Sequence, residues 1–136
     1  MNWVRVALAG IAVLALATLR LGAAPNPNAL PPYTGEQARL GQTLFYENCA
    51  ECHGDALQGN FGPALAGGDD NLRWTPVYST WEYMTAHMPA GNAGGLTQEQ
   101  YVDVMAFLLK AHGELPSRVP LTAGSADASK VPFGPP

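Results

Sequence analysis

The chain has 136 residues and a formal net charge of −4 at neutral pH, with seven Lys and Arg against eleven Asp and Glu. This length suits a single domain. Without residues 1–24, five Lys and Arg would face eleven Asp and Glu, which gives a net charge of −6. Such an acidic chain lacks the basic surface that nucleic acid requires, and it favours a protein partner with a neutral or basic surface.

Residues 1–24 are typical of a secretory signal peptide. Arg5 precedes an uncharged apolar run at 6–19, which at 14 residues is short for a transmembrane helix of about 20 residues. Arg20 is unusual between such a run and a cleavage site. The alternative is therefore an uncleaved N-terminal anchor, with membrane association through residues 4–19. In both cases we expect an exported, periplasmic protein, either free or membrane-anchored.

A predicted linker and a predicted helix follow this segment. The proline-rich residues 25–33 have no periodicity and indicate a linker. Thr34 and Gln37 then have the spacing of a capping box, which predicts the start of a helix. This helix is expected to end at Asn48 and Cys49. Its residues at helical spacing on one face are Ala38, Gly41, Leu44, Phe45 and Asn48.

The stretch CAECH contains Cys49, Cys52 and His53 in the C-x-x-C-H spacing by which a c-type haem is attached. A disulfide or a thioredoxin-like redox pair shares the cysteine spacing, but the latter follows a strand and starts a helix. A zinc site would need about four Cys or His ligands, and the remaining histidines, His87 and His112, are scattered. We therefore predict one covalently attached haem c, with His53 in one axial position of the iron.

A glycine-rich loop without periodicity is predicted for residues 54–73. Twenty residues is long for a loop in a compact domain, and a loop that wraps around a prosthetic group is the usual exception. A short helix of sequence WEYMTAH is predicted next, capped by Ser79 or Thr80 and ending before Pro89. Residues 89–95 are again predicted to form a loop.

Thr97 and Gln100 form a second capping-box pattern and start the last predicted helix, which Gly113 ends. Its apolar residues recur at intervals of three and four, at Tyr101, Val104, Met105, Leu108 and Leu109. Residues 115–136 have several prolines and no periodicity, so we expect an extended and exposed tail. The prediction is an all-α domain at 34–114, with three to four short helices and Gly-rich loops around one haem that completes a small core.

Four motifs in chain order carry a family resemblance. They are G-x-x-x-F-x-x-x-C-x-x-C-H from residue 41, G-P-x-L at 62–65, M-P at 88–89 and AFLLK at 106–110. With these motifs the chain resembles the class I (mitochondrial-type) bacterial monohaem cytochromes c. The stretch 88–116 is similar to cytochrome subunits that serve periplasmic quinoprotein dehydrogenases.

The resemblance implies a role for each motif residue. Cys49 and Cys52 would bond the haem vinyl groups, and His53 would be the proximal ligand of the iron. The carbonyl of Pro63 would accept a hydrogen bond from the other ring nitrogen of His53, which would set its tautomer and basicity. Gly41 would allow the first helix to approach the last one closely.

Arg73 and Trp74 follow the glycine-rich loop and carry donor groups. Their guanidinium and indole N–H groups are candidates for binding a haem propionate. The alternative is a surface cation beside a packing tryptophan. The sequence leaves the two interpretations open.

The second axial ligand of the iron decides the function, and Met88 is the candidate. It lies in the M-P motif at the end of the short helix, where the chain leaves regular structure and can direct the sulfur at the iron. His87 and Met84 are the rivals. Ligation by His53 and Met88 predicts an electron carrier that is not itself an enzyme.

We expect such a carrier to accept electrons from a periplasmic dehydrogenase and to pass them to a terminal oxidase or another cytochrome. One alternative is a haem enzyme or gas-binding protein with an open sixth position. That function needs a distal acid–base pair, for which the region of Met88 offers only His87. The other alternative is a fixed haem subunit of a membrane redox complex, which an uncleaved N-terminus would favour.

Overall fold

The computed structural model of the chain describes residue 24 and residues 26–134, so the segment 4–19 and nearly all of the predicted signal peptide lie outside the described residues. Within this part, no helix is long and apolar enough to cross a membrane. It also contains no β-strand, only isolated β-bridges, which confirms the all-α fold class. The helices are α1 (Gly35–Asn48), α2 (Ala50–His53), α3 (Val77–His87), α4 (Gln98–Ala111) and α5 (Ala123–Ala128).

Helices α1 and α4 form the central pair, and both begin at the predicted capping boxes. The Thr34 hydroxyl accepts the N–H of Gln37, whose side chain accepts the N–H of Thr34 in return. Thr97 and Gln100 form the same reciprocal pair at the start of α4. Each box satisfies backbone donors that have no partner within the helix.

Gly41 sets the distance between the two helices. A Cβ atom at position 41 would lie 1.8 Å from the carbonyl oxygen of Asp103 on α4, so only glycine fits there. One turn further along α1, the ring of Phe45 packs on that of Phe107, with centroids 5.4 Å apart. Phe45 is fully buried. Helices α1 and α4 therefore approach each other closely at Gly41, as the family resemblance implied.

Helix α3 begins earlier than predicted. Its N-cap is Pro76, and neither Ser79 nor Thr80 caps it. The physical reason lies in the C-terminal tail, whose carbonyl groups accept hydrogen bonds from two backbone N–H groups in the first turn of α3. The N–H of Val77 donates to the carbonyl of Val131 at 3.0 Å, and that of Tyr78 donates to the carbonyl of Ser129 at 2.9 Å.

The tail itself is the main correction to the prediction. Residues 115–136 were expected to be extended and exposed, but the described part of this tail, residues 115–134, folds back and contains α5, which starts with a capping box at Thr122. Leu121 and Phe133 are 3% and 0% exposed. The N–H of Phe133 donates to the carbonyl of Thr75 at 3.0 Å. The tail is anchored by isolated large side chains and by backbone hydrogen bonds, which have no periodicity that the sequence could display.

Residues 26–33 of the predicted linker 25–33 are likewise part of the domain, because they pack on the returning tail. The Ser129 hydroxyl donates to the carbonyl of Ala29 at 2.9 Å. The N–H of Ser117 donates to the carbonyl of Tyr33 at 2.7 Å, and the Tyr33 side chain is 1% exposed. The folded domain therefore extends beyond residues 34–114 on both sides.

Candidate haem site

Two adjoining cavities of about 360 and 210 Å³ lie between the glycine-rich loop, α3 and α4. Most of the side chains that line them are apolar. Six residues line both cavities: His53, Pro63, Leu65, Met84, Met88 and Leu108. The two predicted axial ligands, His53 and Met88, therefore line the same pair of adjoining cavities, although they are 35 positions apart in the sequence.

The two cysteines lie on the wall of the smaller cavity. Cys49 is half-buried at the C-terminus of α1, Cys52 is exposed in α2, and both are free thiols. Burial, with a smaller contribution from Cys52, raises the pKa of the Cys49 thiol to about 11. This thiol is therefore neutral at physiological pH, as suits a group that faces an apolar cavity.

His53 is held at the end of α2 with one ring nitrogen already bound. It is 8% exposed, and its Nδ1 lies 2.8 Å from the carbonyl oxygen of Pro63. Because a carbonyl only accepts, Nδ1 carries the proton and Nε2 keeps the free electron pair. Gly62 allows the loop to approach, since a Cβ there would lie 2.9 Å from Cε1 of His53.

The structure separates the three candidates for the second axial position. His87 is exposed, stacks on Tyr83 with ring centroids 4.6 Å apart, and lines neither cavity. Met84 and Met88 line both cavities. Met84 lies within α3, whereas Met88 is its C-cap and has an extended backbone. His87 is thus outside the site, and both methionines face it.

The structure does not bring Arg73 and Trp74 to the cavities, whose lining contains neither residue. Trp74 is 63% exposed and has a positive φ of 68°. The guanidinium of Arg73 lies over the Trp74 ring, 5.7 Å from the centroid, and donates to the carbonyl of Gly68 at 3.1 Å. Trp74 is therefore exposed and not a packing residue, whereas Arg73 is half-buried and its Nε has no hydrogen-bond partner among the described residues.

Sequence reasoning missed the polar end of the larger cavity. The lining there includes five polar side chains, Asn71, Thr75, Ser79, Thr80 and Tyr83. The hydroxyl of Thr80 is buried and has no hydrogen-bond partner among the described residues. An unpartnered buried hydroxyl fits a site whose ligand carries polar groups at one end, as haem does. The recurrence of Thr80, Tyr83 and Met84 at helical spacing was the available signal.

A buried histidine, His112, also hydrogen-bonds the backbone of Leu65, which lines both cavities. The ring nitrogens of His112 lie 2.9 Å from the carbonyl oxygen of Leu65 and 3.0 Å from that of Gly134. The carboxylate of Asp70, also fully buried, lies 3.8 Å from Nε2 of His112. His112 thereby joins the end of α4, the glycine-rich loop and the tail.

Comparison with known proteins identifies the family. The family model described as "Cytochrome C oxidase, cbb3-type, subunit III" matches residues 36–108, which is more than half of the chain. The chain belongs to this family of cytochromes c. The match spans the C-x-x-C-H motif, both cavities and the central helix pair, so the predicted membership among cytochromes c is confirmed.

Two similar proteins are dehydrogenases by name. The structure is similar to a chain in the crystal structure of the sulfane dehydrogenase SoxCD from Paracoccus pantotrophus, with a TM-score of 0.59 and 31% sequence identity. The similarity covers 79% of this cytochrome and 59% of that chain. The cytochrome is also 29% identical to a thiosulfate dehydrogenase from Psychrobacter arcticus, over 49% of its own chain. The cytochrome spans only 24% of the length of that enzyme.

These findings establish the cofactor and the general role. As a cytochrome c with a C-x-x-C-H motif, the chain carries a covalently bound haem c and is an electron-transfer haem protein. The described residues fit this group. Two cysteines that form no disulfide and a buried imidazole line one end of an apolar space, and an unpartnered hydroxyl lines another part of it.

Proposed function

We propose that this cytochrome is a one-electron carrier in which His53 and Met88 hold the haem iron from its two axial sides. The observation that carries the proposal is the lining of the cavities together with the end of α3. His53 and Met88 line both cavities while His87 lines neither, and Met88 is the extended C-cap of α3 whereas Met84 lies within the helix. The iron would then have no open position for a substrate. Oxidation of a substrate would belong to a partner enzyme.

The residues around the site are suited to this role. Haem supplies a reversible one-electron change at its iron. The hydrogen bond from His53 Nδ1 to Pro63 leaves Nε2 as the ligand nitrogen and makes the ring a stronger electron donor. The thioether of Met88 would favour ferrous iron and would raise the reduction potential above that of a pair of histidines. The mostly apolar lining keeps water away from the site.

The comparisons support a dehydrogenase as the electron donor. Both similar proteins are named as dehydrogenases of sulfur compounds, so we propose that an enzyme of this kind reduces the cytochrome. The acceptor would be a terminal oxidase or another cytochrome. We place the protein in the periplasm, where an acidic carrier with a net charge of −6 after processing would dock on a neutral or basic surface.

An open-site function has little support from the lining of the cavities. A peroxidase or a gas-binding protein would use a distal group that exchanges or donates protons. Among the described residues, no carboxylate and no histidine other than His53 lines either cavity. Tyr83 is the residue with a titratable hydroxyl there, and its side chain is 56% exposed.

Redox titration in the presence and absence of carbon monoxide tests this proposal. We expect the purified holoprotein to take up one electron per haem reversibly, and the ferrous spectrum to stay unchanged when carbon monoxide is added. A saturated iron has no position for the gas, whereas an open site binds it at once. Rapid formation of a carbon monoxide complex would contradict the proposed carrier function and would indicate an enzyme or a gas-binding protein.

A further inference from the structure

The hydroxyl of Tyr101 makes a short hydrogen bond to the residue that we propose as the second iron ligand. Tyr101 lies in the first turns of α4, and its N–H donates to the carbonyl of Thr97 at 3.0 Å. Its side chain is 4% exposed. The hydroxyl donates to the carbonyl oxygen of Met88 at 2.6 Å. The capped start of α4 therefore reaches directly to the end of α3.

Met88 is held by its backbone on both sides. Its N–H donates to the carbonyl of Met84 at 3.0 Å, which is the last bond of α3. Its carbonyl oxygen accepts the Tyr101 hydroxyl and, at 3.3 Å, the N–H of Gly94. Among the described residues, Tyr101 is the one whose side chain hydrogen-bonds Met88. The hydroxyl thus ties the start of the 89–95 loop to the rigid central helix pair.

We propose that Tyr101 is a positioning residue that keeps the Met88 sulfur at the iron, an inference that rests on the proposed function. A methionine side chain has three rotatable bonds, so its sulfur stays in place only if its backbone does. Loss of the hydroxyl leaves a partly buried carbonyl with only its longer bond to Gly94. The loop then opens more often, and an external ligand can take the position of the sulfur.

The variant Tyr101→Phe isolates the hydroxyl, because it keeps the ring that packs in the core. A matched control is Tyr33→Phe. Tyr33 is also buried, and its hydroxyl donates to a backbone carbonyl, that of Glu114, in a part of the fold that does not touch Met88. Both variants lose one buried hydrogen bond, so a merely structural role would affect both in the same way.

The experiment titrates the ferric holoproteins with imidazole and records the sulfur-to-iron charge-transfer band in the near infrared. We expect Tyr101→Phe to bind imidazole about tenfold more tightly than wild type, since one lost hydrogen bond of about 1.4 kcal/mol corresponds to this factor. The charge-transfer band of Tyr101→Phe should be weaker than that of the wild type. Tyr33→Phe should keep the wild-type band and imidazole affinity, although its melting temperature falls.

Two results would overturn the inference in distinguishable ways. If the wild-type band is present and Tyr101→Phe keeps both the band and the wild-type imidazole affinity, Tyr101 only contributes to stability. If the wild-type protein itself lacks the band, the ligation by Met88 fails, and the positioning role of Tyr101 fails with it.

Discussion

Replacing both Cys49 and Cys52 with serine is expected to abolish covalent haem and to leave the chain mostly unfolded. The haem would occupy the two cavities between α3, α4 and the glycine-rich loop, which are lined mostly by apolar side chains. Without attachment, this lining loses the surface against which it packs. The expected state is comparable to that of small metal-dependent domains without their metal.

Haem staining of denaturing gels after extraction with acidified acetone measures the attachment, and far-ultraviolet circular dichroism measures the helix content. The variant Cys52→Ser, which keeps the more buried thiol, serves as the control and should retain one thioether bond and part of the holoprotein yield. Covalent haem in the double variant would contradict the assignment of the C-x-x-C-H motif.

Replacing Gly41 with alanine is expected to cost about 3 kcal/mol or more in the free energy of unfolding, at the upper end of overpacking effects. The new Cβ would lie 1.8 Å from the carbonyl oxygen of Asp103 and 2.9 Å from the backbone nitrogen of Val104. Both are backbone atoms, so no change of side-chain rotamer relieves the clash. The helices α1 and α4 would have to separate.

The matched control for this variant is Gly124→Ala in α5, where a Cβ meets no atom within 4 Å. There the higher helix propensity of alanine should stabilise the protein by up to about 1 kcal/mol. Urea unfolding followed by circular dichroism compares the holoproteins. Equal midpoints for Gly41→Ala and the wild type would show that the two helices are not in close contact.

Features with a local cause were predictable from the sequence. Thr34 and Thr97 sit three residues before glutamines, and a capping box depends only on this spacing. The C-x-x-C-H motif likewise needs no tertiary information. Gly113 has a positive φ of 84° and ends α4 as expected, because glycine adopts this conformation without steric cost.

Features with a tertiary cause were not predictable in the same way. The start of α3 depends on the carbonyl of Val131, which is 54 positions away from Val77 in the sequence. Burial of the tail depends on Leu121 and Phe133, two side chains too far apart to form a pattern. The buried state of His112 depends on carbonyl groups of three-dimensional neighbours, since nothing in the adjacent sequence marks it.

In the candidate site, too, the residues within sequence motifs were predictable and the residues placed by the tertiary structure were not. Residues within the motifs, such as His53 and Pro63, were named in advance because the order of the motifs identifies them. The hydroxyl of Thr80 was missed because the sequence suggested a cap, while the structure buries it beside the cavity. Arg73 and Trp74 follow the loop in sequence, but the structure exposes the Trp74 side chain to solvent and places neither residue in the lining of the cavities.

The near-infrared charge-transfer band of the ferric protein tests the central claim, that His53 and Met88 together saturate the iron, most directly. We expect the band in the wild type, because it arises from a methionine sulfur bound to ferric haem. It should vanish in Met88→Ala and survive in both Met84→Leu and His87→Ala. A wild-type protein without the band, or a band that persists in Met88→Ala, would contradict the ligation by Met88 and with it the proposed carrier.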